Sequence, residues 1–495
     1  MKNSFVETFE RLNNVKSTEN GALAYSSTLS KVYDMFAFGG AYRARTPEDV
    51  VLLFKEAYNE DPVYALRCLF YLRDCREGQG ERRFFRVAYR WLIQNHLSAA
   101  LRNIDRIPEY GRWDDLIYIC EGTRMESKAF DIIKSQLLLD IKCKTPSLLG
   151  KWMPSENASS EETARIANKI RMYLRLNHRE YRKMLSELRK RINVVERLMS
   201  AGRWDEIEFD KIPSRAGFIY RNAFARRDLI AKKYEKFIKD ENTSVNAKTL
   251  YPYDIVAKAR ELSYDDRNNM ESVNRMAINK YWANLPDYFE GSTNSVLAVV
   301  DTSGSMTWGT GSVKPIDVAI SLGIYAGEHS KGPFKNCYIS FASRPQLIQI
   351  RGADFCDKVR RIYQTNLCDN TNLLAVFDLL LSMLRTGAAK ASDLPKSIVV
   401  ISDMEIDAGS NWRNRDRVGT EMEQVRLKWA SYGYKLPKLV YWNVNARNNT
   451  ILDAGPNVSY CSGCSPILFQ QVITGKTGID LMLDKLNSDR YFSIR

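Results

Sequence analysis

Two patterns of apolar residues divide the chain near residue 291. Before it, apolar positions recur three and four apart, as in "EDVVLLFKEAYNEDPVYALRCLFYLRDC", and the gaps carry helix-stopping stretches such as "REGQGERR" and "RIPEYGRWDD". This spacing predicts an α-helical repeat domain of roughly a dozen helices over residues 1–291. "EYGRWDDLIYI" (109–119) and "SAGRWDEIEFD" (200–210) share Gly-Arg-Trp-Asp, although two copies do not make a repeat family. After "YFEGSTN" short apolar strands alternate with amphipathic helices. The strands are "SVLAVVD" (295–301), "NCYISFA" (336–342), "SIVVISD" (397–403), "KLVYWNV" (438–444) and "VSYCSG" (458–463). Helices are expected near 315–328, 354–364, 373–386, 417–432 and 466–487. Continuous apolar strands separated by helices predict a Rossmann-like α/β domain over 292–495, a parallel sheet covered on both faces. Ligands of such sheets sit outside the carboxyl ends of the strands. Asp301 and Asp403 each fall at such an end, so both carboxylates are expected in one crevice.

A chain of 495 residues exceeds what one core usually serves, in agreement with two domains. The start, "MKNSFVETFERLNN", has no apolar leader region, and "LLAVFDLLLSMLRTG" is too short and interrupted to span a bilayer. Nine scattered cysteines are an odd number and form no disulfide framework. A cytoplasmic, monomeric protein with no membrane partner is expected.

The formal charge of +14 makes a polyanion a plausible partner. Its location sharpens this, because residues 161–250 alone carry 22 Lys+Arg against 13 Asp+Glu. Within "RIANKIRMYLRLNHREYRKMLSELRKRINVVERLM", Asn177 and Glu180 have capping-box spacing and mark a break between two helices. In the second helix Tyr181, Leu185, Leu188, Ile192 and Val195 make the apolar stripe. Arg182 and Arg189 flank it, and Lys183 and Lys190 lie on the outer face. Cations a turn or two apart suit a phosphate backbone, while the same pattern also describes a solvated helix face. Arg215, Arg226 and Arg227 downstream, with His178 beside the basic helix, complete the candidate RNA contacts.

In "DTSGSM" the side chains of Asp301, Ser303 and Ser305 alternate as the chain leaves a strand, so three oxygen donors can converge. Hard oxygen ligands suit Mg²⁺ or Mn²⁺ and not zinc or copper. Hydroxyls with one or two carboxylates leave such an ion undercompensated, with a position open to an acidic group from a partner.

"DTSGSM" after an apolar strand resembles the Asp-x-Ser-x-Ser of the metal-ion-dependent adhesion site (MIDAS) of von Willebrand factor A domains. The resemblance implies a threonine from a second loop, which "CDNTNLLAVFDLLL" offers as Thr371, and an aspartate from a third strand end, which "VVISDMEID" offers as Asp403. "FYLRDCREGQGERRFF", "YGRWDDLI" and "YRKMLSELRKRINVVERLMSAGRWDEIEFDKIPSRA" resemble the HEAT-like TROVE module that precedes a von Willebrand A domain in Ro ribonucleoproteins. They are closer still to a sister family that carries only a domain-of-unknown-function label. The resemblance implies a helical ring that binds small noncoding RNA on its outside and single-stranded ends in its hole. It departs in one loop, which reads "DNTN" where Ro proteins carry glycines before the threonine. The expected function is an RNA-binding scaffold with a Mg²⁺-dependent interaction domain. The alternative is a metal-dependent protein-interaction module without RNA binding.

Other signals are weaker. "CSGC" (461–464) stands without a second pair of cysteines and suits buried structural thiols. "GQGERR" lacks a preceding strand and a Gly-Lys-Ser/Thr ending, which favours a helix-helix turn. Trp113 and Trp204 suit core anchors better than base-stacking platforms. An enzyme using Asp301 as a phosphoryl acceptor would want a second acid two positions on, where Ser303 stands, so no enzymatic activity is expected.

Overall fold

The computed structural model describes residues 13–192, 194–265, 272–308, 313–365, 371–407, 420–474 and 476–495. It opens on a hairpin that the apolar pattern did not announce, β1 (Val15–Ser17) paired antiparallel with β2 (Leu23–Tyr25). Three-residue strands are too short to show a period. Helices follow, and their ends are set by side chains: Thr46 and Asp49 form a capping box at Pro47–Glu60, and Asn177 and Glu180 form the expected one at His178–Arg191. Tyr181, Leu185 and Leu188 are buried as the stripe requires, whereas Ile192 is only half-buried and Val195 begins the next helix. The two Gly-Arg-Trp-Asp copies diverge in structure. Trp113 opens the helix Trp113–Cys120 and is half-buried, while Trp204 lies buried in a single 3₁₀ turn.

The second half holds a six-stranded sheet of β3 (Val296–Asp301), β4 (Cys337–Phe341), β5 (Leu347–Gln349), β6 (Ser397–Ser402), β7 (Lys438–Asn443) and β8 (Val458–Ser462). The order is β5-β4-β3-β6-β7-β8, parallel throughout except for β5 at the edge. All five expected strands are present, and β5 is the unforeseen one. Every residue of β3, β4, β6 and β8 is buried, which is what helices on both faces demand. The helix Pro315–His329 packs so closely on β3 that a Cβ on Gly323 would overlap the Val300 side chain. The helix expected over 466–487 is broken into Leu468–Val472 and Gly478–Leu486. Strand order reverses between β3 and β6, so their carboxyl ends border the natural ligand crevice.

The helical half closes into a ring on this sheet domain. At one end, Arg275 forms a fork on Asp354 with two contacts of 2.8 Å, and Trp282 stacks on Phe355 at 4.0 Å between ring centres. At the other, the fully buried Asp74 accepts hydrogen bonds from Arg490 Nε (2.8 Å), Arg490 Nη2 (3.2 Å) and the Tyr491 hydroxyl (3.0 Å). The two ends of the arc also meet directly. Tyr251 donates its hydroxyl to the Gln79 carbonyl (3.2 Å), and the Arg43 guanidinium stands over the Tyr253 ring at 5.9 Å. Cys461 and Cys464 are free and buried against this junction, as structural thiols would be. Among the described residues no helix is long and apolar enough to cross a membrane.

Removing one partner of a buried charge pair leaves the other uncompensated, at a cost of about 3–5 kcal/mol. Asp74→Ala strips Arg490 and Tyr491 of their buried acceptor and leaves Arg490 only Glu109 at 3.3 Å, so it is expected to lower stability by up to that amount, read as a lower urea unfolding midpoint. Lys476→Ala, which breaks the half-exposed pair with Asp484, should change stability by less than about 1 kcal/mol. Equal midpoints for the two variants would contradict this account of ring closure.

Candidate functional site

The turn after β3 is organised by Asp301, which is fully buried. One of its oxygens accepts from the Ser303 backbone N–H (2.9 Å) and the other from the Ser402 hydroxyl (2.6 Å). Ser303 and Ser305 hydroxyls lie 3.0 Å apart. Thr371 comes from a separate loop and is pinned to the segment after β6: its N–H donates to Asp407 (2.7 Å), it accepts from the Asp407 N–H (3.0 Å), and its hydroxyl donates to the Glu405 carbonyl (3.2 Å). The preceding Cys368, Asp369 and Asn370 lie outside the described residues.

Asp403 completes the set. It too is fully buried, and one carboxylate oxygen accepts from the Glu405 N–H (3.2 Å). Its Oδ2 has no hydrogen bond. Met404 beside it holds φ at 67°, a left-handed conformation rare for this side chain, within the turn that brings the Glu405 N–H back to Asp403. Burial pushes the Asp301 carboxyl above its ordinary range, and it does the same to Asp403, with the Asp301 charge adding to the effect there.

Two buried carboxylates, the second raised by the charge of the first and with one oxygen that makes no hydrogen bond, together with the Ser303 and Ser305 hydroxyls, form an all-oxygen set suited to a hard divalent cation. The residues present thus fit Mg²⁺ or Mn²⁺. Among the described residues no cluster of three or more His, Cys, Asp or Glu could hold a metal, so any ion here would lean on hydroxyls and water. Glu405, Asp407 and Arg447 border the site and were not singled out from the sequence. The alternating acids of "SDMEID" were the legible signal for the first two.

The basic span sorts into free and committed cations. Arg182, Lys183 and Lys190 are exposed and make no hydrogen bond or ion pair among the described residues. Arg189 differs, since its guanidinium donates to the Gly150 carbonyl (2.9 Å), the Ser155 hydroxyl (3.0 Å) and the Met153 carbonyl (2.9 Å). It holds the 150–155 turn and has little left for a phosphate. His178 is exposed, with Nδ1 2.7 Å from Glu156, a carboxylate that Arg171 also contacts at 2.9 Å. Arg182 and Arg189 border a cleft of about 630 Å³ together with Lys151 and Arg197, two cations the sequence did not single out. Arg215 reaches Asp254 at 3.5 Å, Arg227 stands over the Trp204 ring at 4.6 Å, and Arg226 is exposed. These three lie on or just beyond the helix Ser214–Arg226 and do not line the cleft.

The family described as Domain of unknown function (DUF2828) matches residues 18–146 and 137–291, and Domain of unknown function (DUF7788) matches 295–488. Uncharacterized protein L728 of Acanthamoeba polyphaga mimivirus is 31% identical over 479 residues, which span 89% of this chain and 80% of that one. Among solved structures, the Ro (RSR) protein of Deinococcus radiodurans is similar at a TM-score of 0.44 and 12% identity, over 94% of this chain and 100% of that one.

Truncating Arg189 strands two backbone carbonyls, at about 1–3 kcal/mol. Arg189→Ala should lower the thermal midpoint by several degrees, while Arg182→Ala and Lys190→Ala should stay within about 0.5 kcal/mol of the parent. Calorimetric melting of the three variants checks this.

Proposed function

For a chain that belongs to the DUF2828 family and continues into a DUF7788 α/β domain, we propose an RNA-binding scaffold of the Ro ribonucleoprotein type whose second domain is a divalent-cation-dependent interaction module. The observation that carries the RNA half is the set of cations with no acidic partner among the described residues, Arg182, Lys183 and Lys190, on a helix that borders a cleft where four cations outnumber Glu156 and Glu196. A row of charges without acidic partners is free to neutralise phosphates, and structured or small noncoding RNA presents phosphates along a rigid path. Arg226 and Arg227 at the end of the helix Ser214–Arg226 would add further phosphate contacts, as would Arg215 and His178 on exchanging their partners Asp254 and Glu156 for phosphate.

The observation behind the second half is the unmatched Asp403 oxygen beside Asp301. Asp301, Ser303, Ser305, Thr371 and Asp403 would hold Mg²⁺ or Mn²⁺. A bound ion there would supply an open coordination position for a carboxylate of a protein partner. The role is binding and not catalysis, because Ser303 stands where a second acid would be needed. A module that binds an acidic protein through the ion without any RNA is the second reading, favoured by the same oxygen set.

Fluorescence anisotropy with a structured RNA across a salt series separates the two. Replacing Arg182, Lys183 and Lys190 together by alanine is expected to weaken binding and to flatten the slope of log K against log salt by roughly two to three units. An unchanged slope would leave only the second reading. In parallel, Asp301→Ala should abolish the heat of Mg²⁺ or Mn²⁺ binding in calorimetry and leave RNA affinity within about twofold, since the helix and the crevice belong to different domains. Equal heats from parent and variant would remove the metal site.

A further inference from the structure

The hairpin at the start of the described chain docks on the rim of the strand-end crevice. Thr18 donates its hydroxyl to the Ile406 carbonyl (2.7 Å), the Glu19 N–H donates to Glu405 (2.7 Å), and Asn20 donates to the Glu405 carbonyl (2.8 Å). The carboxylate of Glu19 then meets Arg447 Nη1 at 2.8 Å and accepts from Asn448 at 3.0 Å. Arg447 belongs to the loop after β7, and its Nε stands 3.2 Å from Asp403 Oδ2. That contact is out of line for a hydrogen bond, so both buried atoms go without one. One guanidinium thus sits between two carboxylates. It is ion-paired at both faces, closer to Glu19 (2.8 Å) than to Asp403 (3.2 Å).

We propose that Arg447 is a tethered counter-charge that competes with a divalent cation for Asp403, and that Glu19, by holding the other face of the guanidinium, sets how strongly it competes. The inference rests on the reading of Asp301 and Asp403 as cation ligands. A positive charge in contact with Asp403 raises the local potential and opposes a second cation there. Glu19 draws the guanidinium toward the rim, which leaves Oδ2 without a hydrogen bond and open to a better partner. Loss of the Glu19 charge lets Arg447 bear wholly on Asp403. The affinity of the α/β-domain site is therefore tuned by the leading hairpin of the chain. An acidic group from outside, arriving at an ion on Asp403, would find Arg447 and Asn448 already arranged to receive a carboxylate, with Glu19 as the resident to displace.

Calorimetric titration of Mn²⁺ into the full chain at low salt tests this. Arg447→Ala and Arg447→Gln are both expected to bind about tenfold tighter than the parent, and Arg447→Lys, which keeps the charge, to stay close to it. Glu19→Gln should weaken binding several-fold in the parent. It should do so much less in the Arg447→Ala background, because a Glu19 effect transmitted through Arg447 vanishes with it. Thermal melts confirm that each variant is folded, and the glutamine substitution stands in if alanine destabilises the loop. Unchanged or weaker binding in both neutral variants, with heats that Asp301→Ala abolishes, would overturn the inference alone. Absence of heat from every protein would overturn it together with the cation reading. An equal Glu19→Gln effect in both backgrounds would overturn the part assigned to Glu19.

Discussion

Closure of the helical arc by the sheet domain is the constraint on which the rest of the structure depends. An open solenoid needs polar caps at its ends, because its terminal helices would otherwise expose core surface. Here each end carries an element that the other domain helps to satisfy. Arg275 and Trp282 find Asp354 and Phe355, while Asp74 and Tyr71 find Arg490, Tyr491 and Gln471. A charge buried at 0% exposure, as Asp74 is, tolerates no loosening of its partners. The ring and the sheet domain therefore act as one folding unit, and the geometry of each site is inherited from that closure.

Within this frame the two candidate sites are electrostatically opposite. The strand-end crevice concentrates Asp301, Asp403, Glu405 and Asp407 on two neighbouring turns, with Arg447 as the nearby base. The basic helix carries Arg182, Lys183 and Lys190 on its exposed side, stabilised from within by Tyr181, Leu185 and Leu188. A polyanion and an acidic side chain would be drawn to different parts of the molecule, the first by unpaired surface cations and the second by whatever cation the crevice takes up. Such separation permits both to be held at once.

Much of this was legible in the sequence, and the limits have physical causes. A seven-residue, valine-rich apolar run such as 295–301 is too short for a helix and suits a buried strand, and such ends place Asp301 and Asp403 at the switch point. Asn177 marked a helix start because capping is a local interaction. What escaped was tertiary. Arg189 looks like its neighbours in the sequence, but the carbonyls it satisfies belong to a turn nearly forty residues away. Arg447 and Glu19 sit in unpatterned loops 428 positions apart by number, and nothing in either local sequence announces the other. The edge strand β5 and the hairpin β1–β2 are three residues long per strand, too short to carry an alternation.

The clamp between Arg490 and Asp74 also bears on how the molecule is made. The two residues are 416 positions apart, so a ribosome must synthesise that whole interval before Asp74 meets Arg490. Until then Asp74 is an unpaired charge beside apolar surface that will later be covered, in a chain that already has most of its helices. Contacts of such long sequence separation form slowly, and exposed intermediates of this size are prone to aggregate. Until Arg490 and Tyr491 emerge, the nascent chain is therefore expected to profit from chaperones, and its yield on expression should respond to them more than its finished stability would suggest.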